Sequence, residues 1–423
     1  MNEKFLKYIW KFKLLKFPLF LKNGKPVEII NPGTENQNAG PDFINAIIKI
    51  DDTVWAGNVE IHIKSSDWDK HRHNYDHAYD NVILHIVYHD DKIVYNASAI
   101  EIQNFNILNF LPDNVYNNYL KFRKSSTWIA CAENLPDINN IIIKNCLARL
   151  VVERYERKTY QFFTETEGLK NDWETIFYRF LAKSFGFGVN SDSFYQLACI
   201  TPLKIIAREC SSTDNIEALL FGQSGLLPQN NLDEYTEKLY KDYNNLALKY
   251  NLKPMNKHEW KLLRIRPSGF PTIRISQLSQ LLTSYSPLFR VIIDSSINNI
   301  ISLFQVNATK YWDNHFMFGK KSNRCFNKKL SIASAYLIII NAVVPVLFMY
   351  GCFKNETAVK QKALDLLYNI PAENNEIIRK WLQYGITASS SADSQALLEL
   401  KTMYCNHKKC LECSLGHYMI SSN

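Results

Sequence analysis

Two carboxylates and two basic side chains near the start of the chain have the types and spacing of a hydrolytic metal site. Asp42 lies in AGPDF, and Glu60, His62 and Lys64 occupy alternate positions in WAGNVEIHIK. Alternate residues of a β-strand project from one face, and Asp42 at the start of the preceding strand can face Glu60 across a hairpin. Paired carboxylates hold Mg²⁺ or Mn²⁺, and His62 or Lys64 can position a water for phosphodiester hydrolysis.

A second group of possible site residues follows this strand directly. Its members are His71, His73, Asp76 and His85. With His62 and Glu60 they suit a different chemistry, a zinc or other transition-metal hydrolase. No fixed ligand spacing such as HExxH supports that reading, so it ranks below the carboxylate site. His85 lies inside an apolar strand and is read equally as a core histidine or as a site residue.

The C-terminal segment carries a compact set of thiols. Cys405, Cys410 and Cys413 have the spacing C-x4-C-x2-C, with basic neighbours that favour thiolates. The segment is therefore expected to hold Zn²⁺ or an iron–sulfur cluster; the alternative is three unligated thiols. The candidates for a fourth ligand are His407, His417, Cys131 and Cys352.

Three arginines stand among prolines and aromatic residues in RIRPSGFPTIR. Arg264, Arg266 and Arg274 could bind phosphates through paired hydrogen bonds and so contact nucleic acid. An arginine network that fixes a loop to helical carboxylates is the equally weighted alternative.

The elements that must position these residues change in type along the chain. Alternation and turn signals predict strands over 26–30, 43–50, 53–64, 81–89 and 94–103. Helical spacing predicts helices over 141–163, 172–185, 214–222, 232–250, 274–284, 287–305, 331–350, 356–368, 373–383 and 392–403. The expected fold class is α+β, with an α/β domain over 1–125 and a larger helical domain over 126–423.

Composition sets limits on the class of protein. The chain has 423 residues, 46% of them hydrophobic, and a net charge of +8, which excludes a disordered or collagen-like chain and permits a polyanionic partner. Lysines interrupt the apolar residues of 1–25, so no secretion signal is predicted. The apolar stretch 332–353 contains Asn341 and Pro345 and is interpreted as a buried helix. A cytoplasmic protein without a membrane span is expected.

Two resemblances add to these patterns. The blocks AGPDF, WAGNVEIH, YDNVILHIV, EALLFGQSGLL, RIRPSGFPTIRISQL and DSQALLELK resemble an uncharacterised bacterial domain-of-unknown-function family over nearly the whole chain. The first hundred residues resemble PD-(D/E)XK nucleases, which implies a restriction-endonuclease-like fold with Asp42 and Glu60 as metal ligands. His62 stands where that motif has lysine, and Lys64 lies two residues further on the same face.

The leading hypothesis is therefore a divalent-metal-dependent nuclease or nuclease-like nucleic-acid-processing protein. A non-catalytic nucleic-acid-binding or scaffold protein with the same fold is one alternative. A zinc-dependent hydrolase of a small substrate, built on the histidine cluster, is the other.

Overall fold

The computed structural model describes residues 1–169, 171–230, 233–263 and 265–422. Its contacts divide the chain into two compact units. Unit 1 comprises Met1–Cys146 with Leu400–Asn423, and unit 2 comprises Leu147–Glu399. This division differs from the expected boundary at 125/126, since unit 1 also takes in residues 126–146 and the chain end.

The strands lie almost entirely in unit 1. They are β1 (Leu19–Phe20), β2 (Pro26–Asn31), β3 (Thr34–Glu35), β4 (Phe43–Ile50), β5 (Thr53–Lys64), β6 (Val82–His89), β7 (Val94–Tyr95), β8 (Glu101–Ile102), β9 (Asn104–Asn106), β10 (His315–Met317) and β11 (Lys320–Lys321). The main sheet has the order β1-β2-β4-β5-β6-β9, and β3 pairs with β4.

The direction of pairing changes in the middle of this sheet. β2, β4 and β5 are antiparallel neighbours, and the turn between β4 and β5 uses Asp51 at φ 57°. β6 then pairs parallel to β5, and β9 pairs parallel to β6. A parallel pairing needs a crossover, and residues 65–81 supply it. The histidine-rich segment is therefore carried across one end of β5.

The strands predicted over 43–50 and 53–64 have those bounds in the structure. The prediction of one continuous strand over 94–103 was wrong. The segment forms the short pair β7 and β8 instead. The Asn96 side chain accepts hydrogen bonds from the N–H groups of Ser98 and Ile100, and Ala99 adopts φ 58°. These contacts turn the chain where the sequence shows only a β-rich run.

The helices are distributed over the rest of the chain. They are α1 (Glu3–Lys11), α2 (Asp67–Lys70), α3 (Asp113–Lys124), α4 (Asn140–Thr166), α5 (Trp173–Phe185), α6 (Ser191–Ile200), α7 (Leu203–Glu209), α8 (Thr213–Gln223), α9 (Glu234–Tyr250), α10 (Pro271–Ser284), α11 (Leu288–Asp294), α12 (Ile297–Leu303), α13 (Ile332–Ile338), α14 (Val344–Lys354), α15 (Thr357–Asn369), α16 (Glu376–Gln383), α17 (Ser391–Glu399) and α18 (Ser414–Ser421). Helical turns of π type cover Ile339–Val343 and Leu400–Cys405.

Most of the predicted helices are present, but the one expected over 287–305 is broken. Ser295 ends α11 in an extended conformation, and Ser296 caps α12 through its side chain. Serine competes for the backbone hydrogen bonds of a helix and favours caps. The fold is thus α+β, with a sheet in the N-terminal part and a larger helical C-terminal part.

One helix of unit 2 is long and apolar enough to cross a membrane. Among the described residues this is Ile332–Lys354, and 67% of its most apolar window is buried within the protein. That burial is typical of the core helix of a soluble protein and agrees with the buried helix expected over 332–353.

Candidate metal centre

A cluster of imidazoles and a carboxylate lies beside the middle of β5. The Oε1 atom of Glu60 is 3.5 Å from Nε2 of His62 and 3.5 Å from Nε2 of His73. The ligand atoms of His62, His71 and His73 all lie within 4.8 Å of one another. Glu60 and His62 share a strand face by alternation, while His71 and His73 come from the crossover, so two elements converge on one point.

A second carboxylate adjoins this cluster. The N–H of Asp42 donates to Oε2 of Glu60 at 2.9 Å, and Oδ2 of Asp42 accepts from the N–H of Ile61 at 3.2 Å. Lys7, on α1, forms an ion pair with Asp42. Burial and the nearby charge of Glu60 nevertheless raise the pKa of Asp42 to about 6. The site thus holds more negative charge than its one contacting ammonium offsets.

Hydrogen bonds behind the cluster fix the protonation of His62. The amide nitrogen of Asn104 donates to Asp90 at 2.7 Å and to the carbonyl of Lys92 at 2.9 Å, so its oxygen faces Nδ1 of His85 at 3.0 Å. His85 must therefore carry its proton on Nδ1 and accept at Nε2. Nε2 of His85 lies 2.8 Å from Nδ1 of His62. His62 accordingly donates from Nδ1 and presents an unprotonated Nε2 to the cluster, where it lies 3.1 Å from Nδ1 of His71.

Burial keeps these two imidazoles neutral. Burial, followed by the neighbouring His85, lowers the pKa of His62 to about 2, and burial lowers the pKa of His85 to about 4. A neutral imidazole with a fixed lone pair is the form that binds a metal ion. A histidine ligand held from behind by a hydrogen bond is the usual arrangement at protein metal sites.

Aromatic side chains enclose the cluster on one side, and His71 opens it on another. Tyr79 stacks on His73 with ring centroids 3.8 Å apart, and the fully buried Trp68 contacts His73 and His85. Burial, with the charge of Glu60 next, raises the pKa of Tyr79 to about 12, so its hydroxyl stays protonated. His71 is exposed. A ligand can therefore reach the cluster from the solvent.

Comparison with known proteins identifies the family. The family described as "Protein of unknown function (DUF2851)" matches residues 3–376. The chain belongs to this family. No curated protein and no solved structure matches it. The family match contains every residue of the cluster, whereas Cys405, Cys410 and Cys413 follow it.

Two residues predicted from the sequence stand apart from the cluster. Lys64 is exposed at the end of β5, and the exposed Asp76 caps a short helical turn by accepting from the N–H of Ala78 at 2.9 Å. The amine that contacts Asp42 is Lys7. Lys7 and Tyr79 were not predicted, because Lys7 reaches Asp42 from α1 only by packing and no spacing indicates that Tyr79 stacks on His73.

The predicted phosphate-binding arginines are placed differently from one another. Arg264 lies outside the described residues. Arg266 is exposed before a short helical turn. Arg274 is half-buried in α10, where it donates to Gln277 at 2.9 Å and stacks on Phe187 at 4.3 Å. Burial lowers the pKa of Arg274 to about 10. Arg266 has the accessibility that a phosphate contact needs.

Of the candidate fourth ligands for the cysteine segment, His407 lies within the segment itself and is exposed. Cys131 lies in unit 1 with Cys405, Cys410 and Cys413, whereas Cys352 lies on α14 in unit 2. Nδ1 of His417 is 2.9 Å from the hydroxyl of Tyr8 and is engaged there.

Proposed function

We propose that this protein is a divalent-metal-dependent phosphodiesterase of the nuclease type. The observation that carries the proposal is the convergence of Asp42 and Glu60 with the imidazoles of His62, His71 and His73. Buried carboxylates that adjoin each other are unfavourable unless a cation neutralises them. The donor set of oxygen and imidazole nitrogen fits such a cation.

The mixed donor set bears on which metal binds. Carboxylate oxygens alone suit Mg²⁺, whereas imidazole suits zinc and other transition metals. Because Nε2 of His62 is held unprotonated and faces the cluster, Mn²⁺ or Zn²⁺ is favoured over Mg²⁺ as the bound ion. A bound divalent cation would supply charge neutralisation and an acidified water for attack on phosphorus.

The arrangement of the strands supports the nuclease reading. Asp42 directly precedes β4, Glu60 lies in the antiparallel β5, and β6 follows parallel to β5. This is the order in which the PD-(D/E)XK motif places its acidic residues and its strands, so a restriction-endonuclease-like fold is part of the proposal. The PD-(D/E)XK motif carries a lysine at the position that His62 occupies in this chain. Lys7, which contacts Asp42, would supply that amine instead.

The remaining side chains have roles that follow from their positions. Lys7 would stabilise negative charge that develops on a phosphoryl oxygen near Asp42. His71, exposed at the mouth of the cluster, is placed to exchange protons with solvent. Arg266 and the net charge of +8 favour a polyanionic substrate. Nucleic acid is therefore the proposed partner.

The test is cleavage of labelled single- and double-stranded DNA and RNA with Mn²⁺, Zn²⁺ or Mg²⁺. Wild type is compared with Asp42→Asn and Glu60→Gln, which keep side-chain size but remove charge. Asp113→Asn is the matched control, since Asp113 is 90% exposed and pairs with Lys16 at the surface. Metal-dependent cleavage by wild type and by Asp113→Asn, lost in the two site variants, is expected.

Other results would contradict the proposal. Equal cleavage by all four proteins would assign the activity to a contaminant or to another site. No cleavage by any of them, together with retained nucleic-acid binding, would favour the scaffold alternative.

A zinc-dependent hydrolase of a small substrate is the second candidate. It is favoured by the close approach of three imidazoles, within 4.8 Å of one another. Zinc-dependent hydrolysis of a nitrophenyl ester, lost in His71→Gln and His73→Gln without any cleavage of nucleic acid, would select this candidate.

A further inference from the structure

The end of the chain returns to the segment that precedes α4. Lys401 and Lys408 donate hydrogen bonds of 2.6–2.9 Å to backbone carbonyls of residues 123–128. Lys401 also lies 4.5 Å from the centre of the Trp128 ring. These contacts hold the cysteine-bearing segment 405–413 beside the segment that ends in Cys131. The sequence separates the two by more than half of the chain.

The four thiols form one group within unit 1. Burial, followed by the neighbouring thiols of Cys131, Cys413 and Cys410, raises the pKa of Cys405 although basic residues flank it in sequence, and burial followed by Cys413 and Cys410 raises the pKa of Cys131. The N–H of Cys413 donates to the carbonyl of Cys410 at 3.4 Å, and Cys413 is buried. Four clustered thiols have the composition of a thiolate metal site.

We propose that Cys131, Cys405, Cys410 and Cys413 together ligate one metal centre through four thiolates. This centre is separate from the histidine–carboxylate cluster and does not depend on the proposed hydrolytic function. Binding would release the thiol protons and would join the chain end to residue 131.

The local backbone is built to bring α18 onto this loop. A Cβ at Gly416 would lie 2.2 Å from the carbonyl oxygen of Cys410, so only glycine permits this approach. Lys408 adopts φ 49°, a conformation that lysine rarely takes, and reverses the chain between Cys405 and Cys410. A turn held in this way sets the position of its thiols before a metal binds.

The spacing of the thiols bears on the identity of the centre. Within the described part of the chain, three ligand atoms within 4.8 Å of one another occur at His62, His71 and His73 but not among the thiols. Sulfurs around a single zinc ion, each about 2.3 Å from the metal, would be roughly 3.8 Å apart. An iron–sulfur cluster distributes its thiolate ligands over two or more irons, which accommodates a wider spacing and is therefore favoured.

The experiment is purification of the full chain without oxygen, followed by measurement of iron, acid-labile sulfide, zinc and the visible spectrum. Wild type is compared with Cys131→Ser and Cys410→Ser. The controls are Cys325→Ser, an exposed thiol of unit 2, and His62→Gln, which alters the other cluster. We expect a bound centre in wild type and both controls, and at least a tenfold loss of its metal in the two test variants.

The metal content, the sulfide content and the visible spectrum together distinguish an iron–sulfur cluster from zinc. Iron with equivalent sulfide and a broad visible absorption identifies the cluster, and zinc without colour that is retained in His62→Gln identifies a zinc site at the thiols. Either one, lost in Cys131→Ser, supports ligation by four thiolates. Full metal content in Cys131→Ser would overturn the assignment of the fourth ligand.

A second measurement protects the proposal against a variant that fails to fold. Wild-type protein is alkylated before and after metal removal by a chelator, and the modified cysteines are located by mass spectrometry. Joint protection of the four cysteines, followed by their joint modification after chelation, is expected. Independent modification of the four thiols in protein as purified would overturn the proposal.

Discussion

Two buried carboxylates, Glu60 in unit 1 and Glu399 in unit 2, differ in how their negative charge is compensated. Glu399 accepts from Arg154 at 2.9 Å and from Arg157 at 2.6 and 2.8 Å, so two guanidinium groups surround one carboxylate. Glu60 has the imidazoles of His62 and His73 and the carboxylate of Asp42 as its neighbours. Both residues are at most 5% exposed.

The difference separates a structural ion pair from a candidate ligand site. The guanidinium groups outweigh burial, which alone would raise the pKa of Glu399, and hold that pKa below its usual value. Around Asp42 the balance is reversed, and the pKa is raised. Charge that the protein itself compensates stabilises the fold, whereas charge left for a cation to compensate marks a site.

The largest expected effect on stability comes from breaking the compensated network. Glu399→Gln leaves the guanidinium groups of Arg154 and Arg157 without their carboxylate, which costs about 3–5 kcal/mol of unfolding free energy. Denaturant unfolding of the full chain measures it. Glu60→Gln is the matched comparison. Since it relieves repulsion with Asp42, metal-free protein should lose no more than the ~1 kcal/mol of the hydrogen bond that Glu60 accepts from the Asp42 N–H. Equal losses of unfolding free energy in Glu399→Gln and Glu60→Gln would contradict the distinction between a compensated and an uncompensated carboxylate.

A smaller effect is expected from the hydrogen bonds behind the cluster. His85→Phe keeps an aromatic ring beside Trp68 but removes the acceptor for His62, so His62 is no longer held in its metal-binding tautomer. Affinity for Mn²⁺ or Zn²⁺ should fall by about 10–100-fold, measured by calorimetric titration of metal-free protein. His77→Phe is the control, because His77 pairs with Asp80 at the surface. An unchanged affinity in His85→Phe would argue against a positioning role.

The pH dependence of stability tests whether the charge of Glu399 is the source of its contribution. Since the folded pKa of Glu399 is below its unfolded value, its contribution is complete above the unfolded pKa and is lost as pH falls through the folded pKa. The stability difference between wild type and Glu399→Gln should therefore shrink as the pH is lowered. Unfolding curves at several acidic pH values test this. A difference that stays constant into acid would show that charge is not its source.

The smallest effect is expected at an exposed ion pair of unit 2. Arg290 contacts Asp294 at 2.8 Å, but both side chains are more than half exposed. Arg290→Gln should change the unfolding free energy by no more than about 1 kcal/mol, because water screens the pair. A loss comparable to that of Glu399→Gln would mean that burial does not govern the strength of these ion pairs.

Local patterns predicted the strands that carry the site better than they predicted the site itself. The alternation in WAGNVEIHIK placed Glu60 and His62 on one face of β5, and that placement needed only the geometry of a strand. The crossover that brings His71 and His73 to the same point has no such periodicity. Lys7 reaches Asp42 from a helix, and no spacing in the sequence relates the two.

The amino-acid sequence by itself determined the strand bounds of β4 and β5, most of the helices and the residue types available for chemistry, because these depend on short-range periodicity and composition. The tertiary structure decided which of those residues meet. It joined two carboxylates to three imidazoles, fixed the lone pair of His62 through His85 and Asn104, and brought Cys131 to the chain end. These contacts between residues distant in sequence depend on strand pairing and packing, which the periodicity of a single sequence does not encode.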